Sequence, residues 1–388
     1  MIALQAQVII VGWQVYSLTH STFMLGLTGL VEALPAIICA LYAGHIVDVS
    51  NPLRVYRWAL GALAVTNMGF LLVAGDYISL GQNHLLIFIF IGIFCCGLAS
   101  SFIMPATFAL LPMIVQRRDI SAASAWKSGT FQMAAIGGPA VAGVIYAAYG
   151  AHGAWLMPVS MMILAVAMSF LIRVPYTPLA IEKRARVFDS MKEGWRFLLK
   201  NNALLSIMAL DMLAVLLGGA IALLPAIADQ ILHVGAKELG ALRAAPAIGA
   251  VLMALLLALK PMKIITARRM LIVVAGFGVC MIGFGLSTSF WLSMLLLALS
   301  GAFDSVSMVI RGTLTQLLTP EGFRGRVSAV NSMFVITSNE IGAFYSGVMA
   351  TLLGLVPAVV LGGFGTLAVV GGTAILSPKF RKLSVKTD

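Results

Sequence analysis

Long apolar runs alternate with short polar segments along the whole chain. A membrane-spanning helix needs about 20 mostly apolar residues, and the runs have that length. They predict about twelve spans, near residues 2–18, 22–46, 54–75, 85–111, 121–149, 154–173, 203–230, 237–259, 269–287, 290–317, 326–351 and 355–376. Several runs are longer, which indicates tilt or extension beyond the bilayer rather than additional crossings.

The overall composition supports this prediction of an all-α integral membrane protein. Hydrophobic residues make up 61% of the chain and charged residues only 10%, whereas soluble domains are about half apolar and a quarter charged. The four cysteines (Cys39, Cys95, Cys96 and Cys280) lie inside apolar runs, which is typical of buried apolar side chains rather than disulfides. With the five histidines scattered, no metal site is predicted.

Basic residues are strongly biased toward alternate loops. All but two of the 25 Lys and Arg residues lie on one predicted side or at helix ends that meet it. These are Arg54, Arg57, Arg117, Arg118, Lys127, Arg173, Lys183, Arg184, Arg186, Lys192, Arg196, Lys200, Lys260, Lys263, Arg268, Arg269, Arg311, Arg324, Arg326, Lys379, Arg381, Lys382 and Lys386. The bias predicts a bacterial inner (plasma) membrane protein with both termini cytoplasmic. The net charge of +11 then faces anionic lipid, and no nucleic-acid partner is predicted.

Two short sequences recur at nearly the same offset, which indicates an internal duplication. Glu32–Ile37 recurs as Arg243–Ile248, and Ile120-Ser-Ala122 recurs as Val327-Ser-Ala329, each in the corresponding span of its half. Parallel six-helix halves related by an axis along the membrane normal fit this pattern. The predicted domains are an N-terminal bundle (1–173), a cytoplasmic linker (174–202), a C-terminal bundle (203–376) and a cytoplasmic tail (377–388).

The linker carries an amphipathic pattern. Within Val187–Lys200, the side chains of Val187, Met191, Trp195 and Leu198 recur at helical spacing. The pattern predicts an interfacial amphipathic helix that bridges the halves. A plain solvated linker is the alternative.

Several short motifs are typical of one superfamily of membrane proteins. They are Gly12–Thr19, Leu223–Pro225, Arg311–Gln316, Arg324–Asn331 and Ser338-Asn339. With these motifs the chain resembles the major facilitator superfamily over essentially its whole length, and most closely its enterobactin-exporter-like branch of bacterial efflux proteins. The resemblance implies two pseudo-symmetric six-helix halves that rock around a mid-membrane site.

The segment between the second and third spans resembles the superfamily's loop signature. Gly44, Asp48 and the following Arg54 match it, whereas Val49 stands where a basic residue is usual and Pro52 alters the turn. The resemblance implies that Asp48 holds a gate by pairing with an arginine or a helix N-terminus. A solvated loop carboxylate is the alternative.

The fifth span resembles the antiporter signature, a series of small residues that ends in Gly-Pro. The series is Ala125, Ala134, Gly138, Pro139, Ala142 and Gly143. Small residues let helix backbones approach closely, and the resemblance implies that Gly138 and Pro139 are gate residues. Generic helix packing is the alternative. The fourth span lacks the arginine of many proton-linked drug antiporters, which puts their relay scheme in doubt here.

Ionisable residues inside predicted spans are candidates for substrate binding or proton coupling, because charge is costly there. Glu32 and Glu340 lie near mid-depth of spans that, in the implied fold, face one another across the cavity. Burial and a neighbouring like charge both favour the protonated carboxyl. Arg243 replaces Glu32 in the repeat and suits an anionic substrate group or a partner carboxylate.

The other candidates lie on spans one, seven, ten and eleven. Asp211 lies toward the cytoplasmic side of span seven. Asp304 and Arg311 share a face of span ten but are about 10 Å apart, too far to pair. Structural pairing between the halves is the alternative for all these charges. The amides of Gln7, Gln14 and Asn339 are further candidates for hydrogen bonds in the cavity.

The leading hypothesis is a monomeric, proton-coupled exporter of a small amphipathic molecule, such as a siderophore or drug. No phosphate-binding loop is present, so we expect no nucleotide or other cofactor and a proton gradient as energy source. Alternatives are an importer or lipid-handling protein of the same fold, or a non-transporting sensor or scaffold. An enzyme would need paired catalytic residues such as Ser-His, which the spans lack.

Overall fold

The computed structural model describes residues 1–75, 77, 81–116, 119–174, 195–260, 262, 264–320, 323–381 and 384–386. Nearly all of these residues are helical, so the predicted all-α class is confirmed. In this part of the chain, ten helices are long and apolar enough to cross a membrane.

Five long helices form the N-terminal part of the chain. They are α1 (Ile2–Thr19), α2 (Thr22–Val49), α3 (Pro52–Ala74), α4 (Gln82–Ile114) and α5 (Ile120–Leu171). Helix α5 is interrupted at Gly150, whose φ of 67° and ψ of −167° are accessible to glycine and not to residues with a side chain. The kink divides α5 where the sequence predicts the boundary between the fifth and sixth spans.

The C-terminal part contains the remaining elements. They are α6 (Asn202–Gly218), a 3₁₀ turn (Ala220–Leu223), α7 (Leu224–Gln230), α8 (Ala236–Leu259), β1 (Ile264–Thr266), α9 (Ala267–Leu286), α10 (Phe290–Leu318), α11 (Arg324–Leu353), α12 (Leu355–Leu376), α13 (Pro378–Arg381) and β2 (Ser384–Lys386). The two short strands pair antiparallel, with Ile264 opposite Lys386.

The number of spans depends on how two helices are counted. The stretch Ala122–Leu171, one of the ten, contains two predicted spans joined at Gly150. The eleventh predicted span corresponds to α11, which is 30 residues long and is not among the ten. The total of twelve therefore stays a prediction.

The chain divides into two compact units. The first contains Met1–Arg184 and His233–Ala244, and the second contains Ala185–Leu232 and Ala245–Asp388. Helix α8 thus begins in the first unit and ends in the second. The domain boundaries at residues 173 and 203 stay predictions.

Each unit has its own apolar interior and a broadly apolar exterior. In the first unit Trp155 is fully buried and stacks on Phe70 at 4.7 Å between ring centroids. In the second, Leu210 and Met270 belong to one buried cluster. Large side chains such as Phe108 remain exposed, as a lipid-facing surface requires.

Only the end of the predicted amphipathic helix lies within the described residues. Residues 195–200 are helical, and residues 187–194 lie outside the described part. The Trp195 ring stacks on Phe334 of α11 at 5.6 Å, and Leu198 is fully buried. Two of the four residues predicted for the apolar face thus pack within the second unit, while the interfacial role stays a prediction.

Candidate functional site

The repeated segment, Glu32–Ile37 in one copy and Arg243–Ile248 in the other, packs against a glycine of a neighbouring helix in each unit. In the first unit, the Glu32 carbonyl and the Pro35 ring lie directly against Gly97 of α4. In the second, the Pro246 carbonyl of α8 lies against Gly301 of α10. A Cβ atom at either glycine would collide with these backbone oxygens, so the repeat reflects shared close packing between corresponding helix pairs.

The two charges that differ within the repeat interact in the first unit. Glu32 lies partly buried on α2, and Arg243 lies at the part of α8 that belongs to the first unit. Arg243 is close enough for its positive charge to act on the Glu32 carboxylate. The arrangement therefore provides a carboxylate and a guanidinium inside predicted spans. Glu340 is partly buried on α11 of the second unit, and its pairing with Glu32 stays a prediction.

The predicted amides of α1 make hydrogen bonds inside the first unit. Asn67 of α3 is fully buried and donates its Nδ2 to Gln7 Oε1 at 3.0 Å. Trp155 donates its Nε1 to Gln14 Oε1 at 2.9 Å. These bonds connect α1 to α3 and to the second half of α5, so both glutamines stabilise the unit whether or not they also contact substrate. Asn339 is exposed on α11.

Asn67 was not predicted from the sequence. Its Oδ1 is buried and has no hydrogen-bond partner among the described residues, although Nδ2 is bonded to Gln7 and to the Leu63 carbonyl. Its position inside an apolar run could have identified Asn67 as a hydrogen-bonding residue, because polar side chains in spans usually hydrogen-bond across helices.

At the predicted gate around Asp48, the structure describes contacts only of residues near Asp48 in the sequence. The Asn51 side chain caps α3 by accepting from the backbone N–H of Leu53 at 2.9 Å, which fits Pro52 at the first helical position. Arg54 is exposed, and Gly44 has open space where a Cβ would be. The Asp48 side chain lies outside the described part of the structure, so its gating role stays a prediction.

Arg57 makes a contact that sequence reasoning missed. Its guanidinium donates to the Ser169 carbonyl at 2.9 and 3.2 Å and to the Ile172 carbonyl at 3.0 Å. It also lies 4.8 Å from the centroid of the Phe170 ring. Arg57 thus caps the C-terminus of α5, where carbonyls lack helical donors, and joins α3 to it. The sequence had assigned it only to the basic side.

The small residues of α5 pack against two helices. A Cβ at Gly138 would lie 2.8 Å from Gln5 Cβ on α1. A Cβ at Gly240 of α8 would lie 2.5 Å from the Pro139 carbonyl oxygen and 3.2 Å from Gly143 Cα. The α5 and α8 backbones are therefore in direct contact within the first unit. Movement at this contact stays a prediction.

The second unit contains a buried ion pair between α6 and α10. Arg311 Nη1 pairs with Asp211 Oδ2, and Ser307 Oγ donates to Asp211 Oδ1 at 3.4 Å. Asp211 is 5% exposed and Arg311 is 7% exposed. Structural pairing between the halves does not describe this pair, because both residues belong to one unit. Asp304 lies on a small cavity beside Asp211.

The predicted seventh span is not one continuous helix. Helix α6 ends at Gly218, and the chain passes through a 3₁₀ turn at Leu223 before α7. The carbonyl of Gly219, at the break, accepts a hydrogen bond from Ser346 Oγ of α11 at 2.9 Å. That bond satisfies a backbone group that the break frees, as an apolar environment requires.

Metal ligands are not grouped in the described part of the chain. No cluster of three or more His, Cys, Asp or Glu side chains has a geometry that could hold a metal ion. The ionisable groups described above are therefore organised in two places, Glu32 with Arg243 in the first unit and Asp211 with Arg311 and Asp304 in the second.

Solved structures with the same fold are transporters. A bacterial homologue of the iron transporter ferroportin, in an inward-facing state, aligns with a TM-score of 0.74 at 16% identity, covering 98% of this chain and 96% of that one. A POT family transporter in complex with 5-aminolevulinic acid also aligns with a TM-score of 0.74, at 11% identity, covering 98% and 95%. The major facilitator fold is therefore confirmed.

Sequence relatives carry a more specific name. The enterobactin exporter EntS of Citrobacter koseri is 26% identical over 92% of this chain and 84% of its own length. EntS of Escherichia coli O1:K1 is also 26% identical, with the same coverage. The model of the transmembrane secretion effector family matches residues 2–385. The chain belongs to this family, and it is a multi-pass membrane transporter of the major facilitator superfamily rather than an enzyme.

Proposed function

We propose that this protein exports a small amphipathic molecule, siderophore-like or drug-like, in exchange for protons by alternating access. The single observation that carries the proton-coupling proposal is the interaction between Glu32 and Arg243 inside predicted spans. The direction and the substrate class are supported by the relatives named as enterobactin exporters. The proposed location is a bacterial inner membrane, with both termini cytoplasmic and the protein acting as a monomer.

Exchange requires one group in the protein that binds either the substrate or a proton, but not both at the same time. A carboxylate inside a membrane protein accepts either a proton or hydrogen bonds from a donor-rich ligand. The charge of Arg243 acts on the Glu32 carboxylate, and its guanidinium supplies donors for an oxygen of the same ligand. A hydroxyl-rich substrate that binds Glu32 and Arg243 would therefore displace a proton from Glu32. Protonation from the other side would then favour substrate release.

Transport in inverted membrane vesicles tests this proposal. With an imposed pH gradient, acidic inside, we expect the wild type to accumulate enterobactin or the drug-like cation ethidium and to dissipate the gradient as it does so. Glu32→Gln, Arg243→Ala and Glu340→Gln should each reduce coupled transport. Glu238→Gln is the matched control, because Glu238 lies in the first turn of α8, away from its middle.

The outcomes separate the parts of the proposal. Normal coupled transport by all three site variants would show that the site is assigned wrongly. Accumulation only in right-side-out vesicles would show an importer. Transport that persists after the pH gradient is collapsed would show that transport is not coupled to protons.

A further inference from the structure

A small cavity in the second unit lies between α6, α9 and α10. Three polar side chains line it, Asp211 from α6 and Asp304 and Ser307 from α10. Helix α9 contributes only apolar side chains, such as Val274 and Phe277. The free space is enough for about one water molecule.

The two carboxylates on this cavity have different partners. Asp211 is neutralised by Arg311 and also accepts a hydrogen bond from Ser307. Asp304 makes no hydrogen bond or ion pair with any residue that the structure describes. An ionised carboxylate without a partner is unstable in apolar surroundings, whereas a protonated one is neutral and donates a hydrogen bond.

The polar lining also fits an internal water molecule. Such a water needs about two to four polar partners, and Asp211, Asp304 and Ser307 supply that number. The charged groups that face Asp304 are then Asp211 across the cavity and, through it, Arg311. When Asp304 is protonated, the net charge of Asp304, Asp211 and Arg311 together is zero. When Asp304 loses its proton, that net charge becomes negative.

We propose that Asp304 is a second protonation site, connected through one water molecule to the Asp211–Arg311 ion pair. The site lies in the second unit and is separate from Glu32 in the first. Its role in transport rests on the proposed proton coupling, whereas its ability to bind a proton does not. Because its charge state acts on an ion pair that joins α6 to α10, protonation would alter how firmly these helices are held together.

Infrared spectroscopy of the full-length protein in liposomes tests this site without any substrate. In a pH titration, a protonated aspartic acid gives a carbonyl stretch that disappears when the group ionises. We expect the wild type to show one such band that Asp304→Asn lacks, while Asp304→Glu keeps a band at a shifted frequency. Asp229→Asn is the matched control, since Asp229 is exposed on α7 of the same unit, and it should leave the band unchanged.

The same titration contains the results that would overturn the proposal. If every titrating carbonyl band of the wild type persisted in Asp304→Asn, so that the two spectra were identical at every pH, Asp304 would not bind the proton. In D₂O the proton on the carboxyl group should exchange with water, which moves the band to lower frequency. A band that stays in place would contradict the proposed contact between Asp304 and a water molecule. Loss of the band in Asp304→Asn would support the site even if Glu32→Gln transported normally.

Discussion

At the residue scale, the Asp211–Arg311 pair illustrates how a membrane protein accommodates a charge in its interior. Each charge alone would be costly in an apolar environment, and the two are compensated by each other and by Ser307. Removing one partner therefore leaves an uncompensated buried charge, which costs more than the pair contributes.

Loss of one partner of this pair should be measurable as lost stability. Asp211→Ala should destabilise the protein by about 3–5 kcal/mol, because the Arg311 guanidinium stays buried without its partner. The double variant Asp211→Leu with Arg311→Met should recover most of that loss. Thermal unfolding in detergent measures both, and equal melting temperatures for wild type and Asp211→Ala would contradict the structural role.

The sequence showed these residues but not their pairing. Apolar runs place Asp211 and Arg311 inside spans, and spacing along one helix correctly separates Asp304 from Arg311. The pattern does not say that the seventh and tenth spans adjoin, so the Asp211–Arg311 contact was missed. For the same reason, Asn67 and Arg57 were not assigned partners on α1 and α5.

At the scale of elements, close contacts through glycine position α5 against its neighbours. The contact of Gly240 with the Pro139 carbonyl leaves no room for a side chain. Gly137, one helical position before Gly138, has open space where a Cβ would be. The two glycines therefore form a matched pair for substitution.

Gly240→Ala should lower the stability by about 1–3 kcal/mol, because its methyl group would lie 2.5 Å from a backbone oxygen of α5. Gly137→Ala should be neutral or stabilise the helix by up to about 1 kcal/mol. Melting temperature and initial transport rate are the measurements. An equal loss of stability in the two variants would show that the α5–α8 contact does not set the effect.

The positions of the helices could be predicted better than their interruptions. Apolar length predicts the spans because each must cross the same thickness of hydrocarbon. The break after Gly218 lies in an uninterrupted apolar run, and only the packing of Ser346 on the Gly219 carbonyl reveals how it is stabilised. Conversely, the sequence places the fifth and sixth predicted spans at 121–149 and 154–173, and a single non-helical residue, Gly150, separates them in the structure.

At the scale of the whole molecule, the internal repeat combines shared packing with different charges. Corresponding helix pairs pack through Pro35 with Gly97 and through Pro246 with Gly301. Within the same repeated segment, Glu32 in one copy stands where Arg243 stands in the other. The shared residues thus maintain packing, whereas the residues that differ supply the charges on which the proposed exchange depends.

The most direct test of this account is the pH dependence of substrate affinity. Binding of the transported molecule to the purified protein should weaken as the pH falls, by at most about tenfold per pH unit for each proton displaced. Glu32→Gln cannot exchange a proton for the substrate at that position, so its affinity should depend less steeply on pH. The same pH dependence in wild type and Glu32→Gln would contradict the proposed competition between substrate and proton for Glu32.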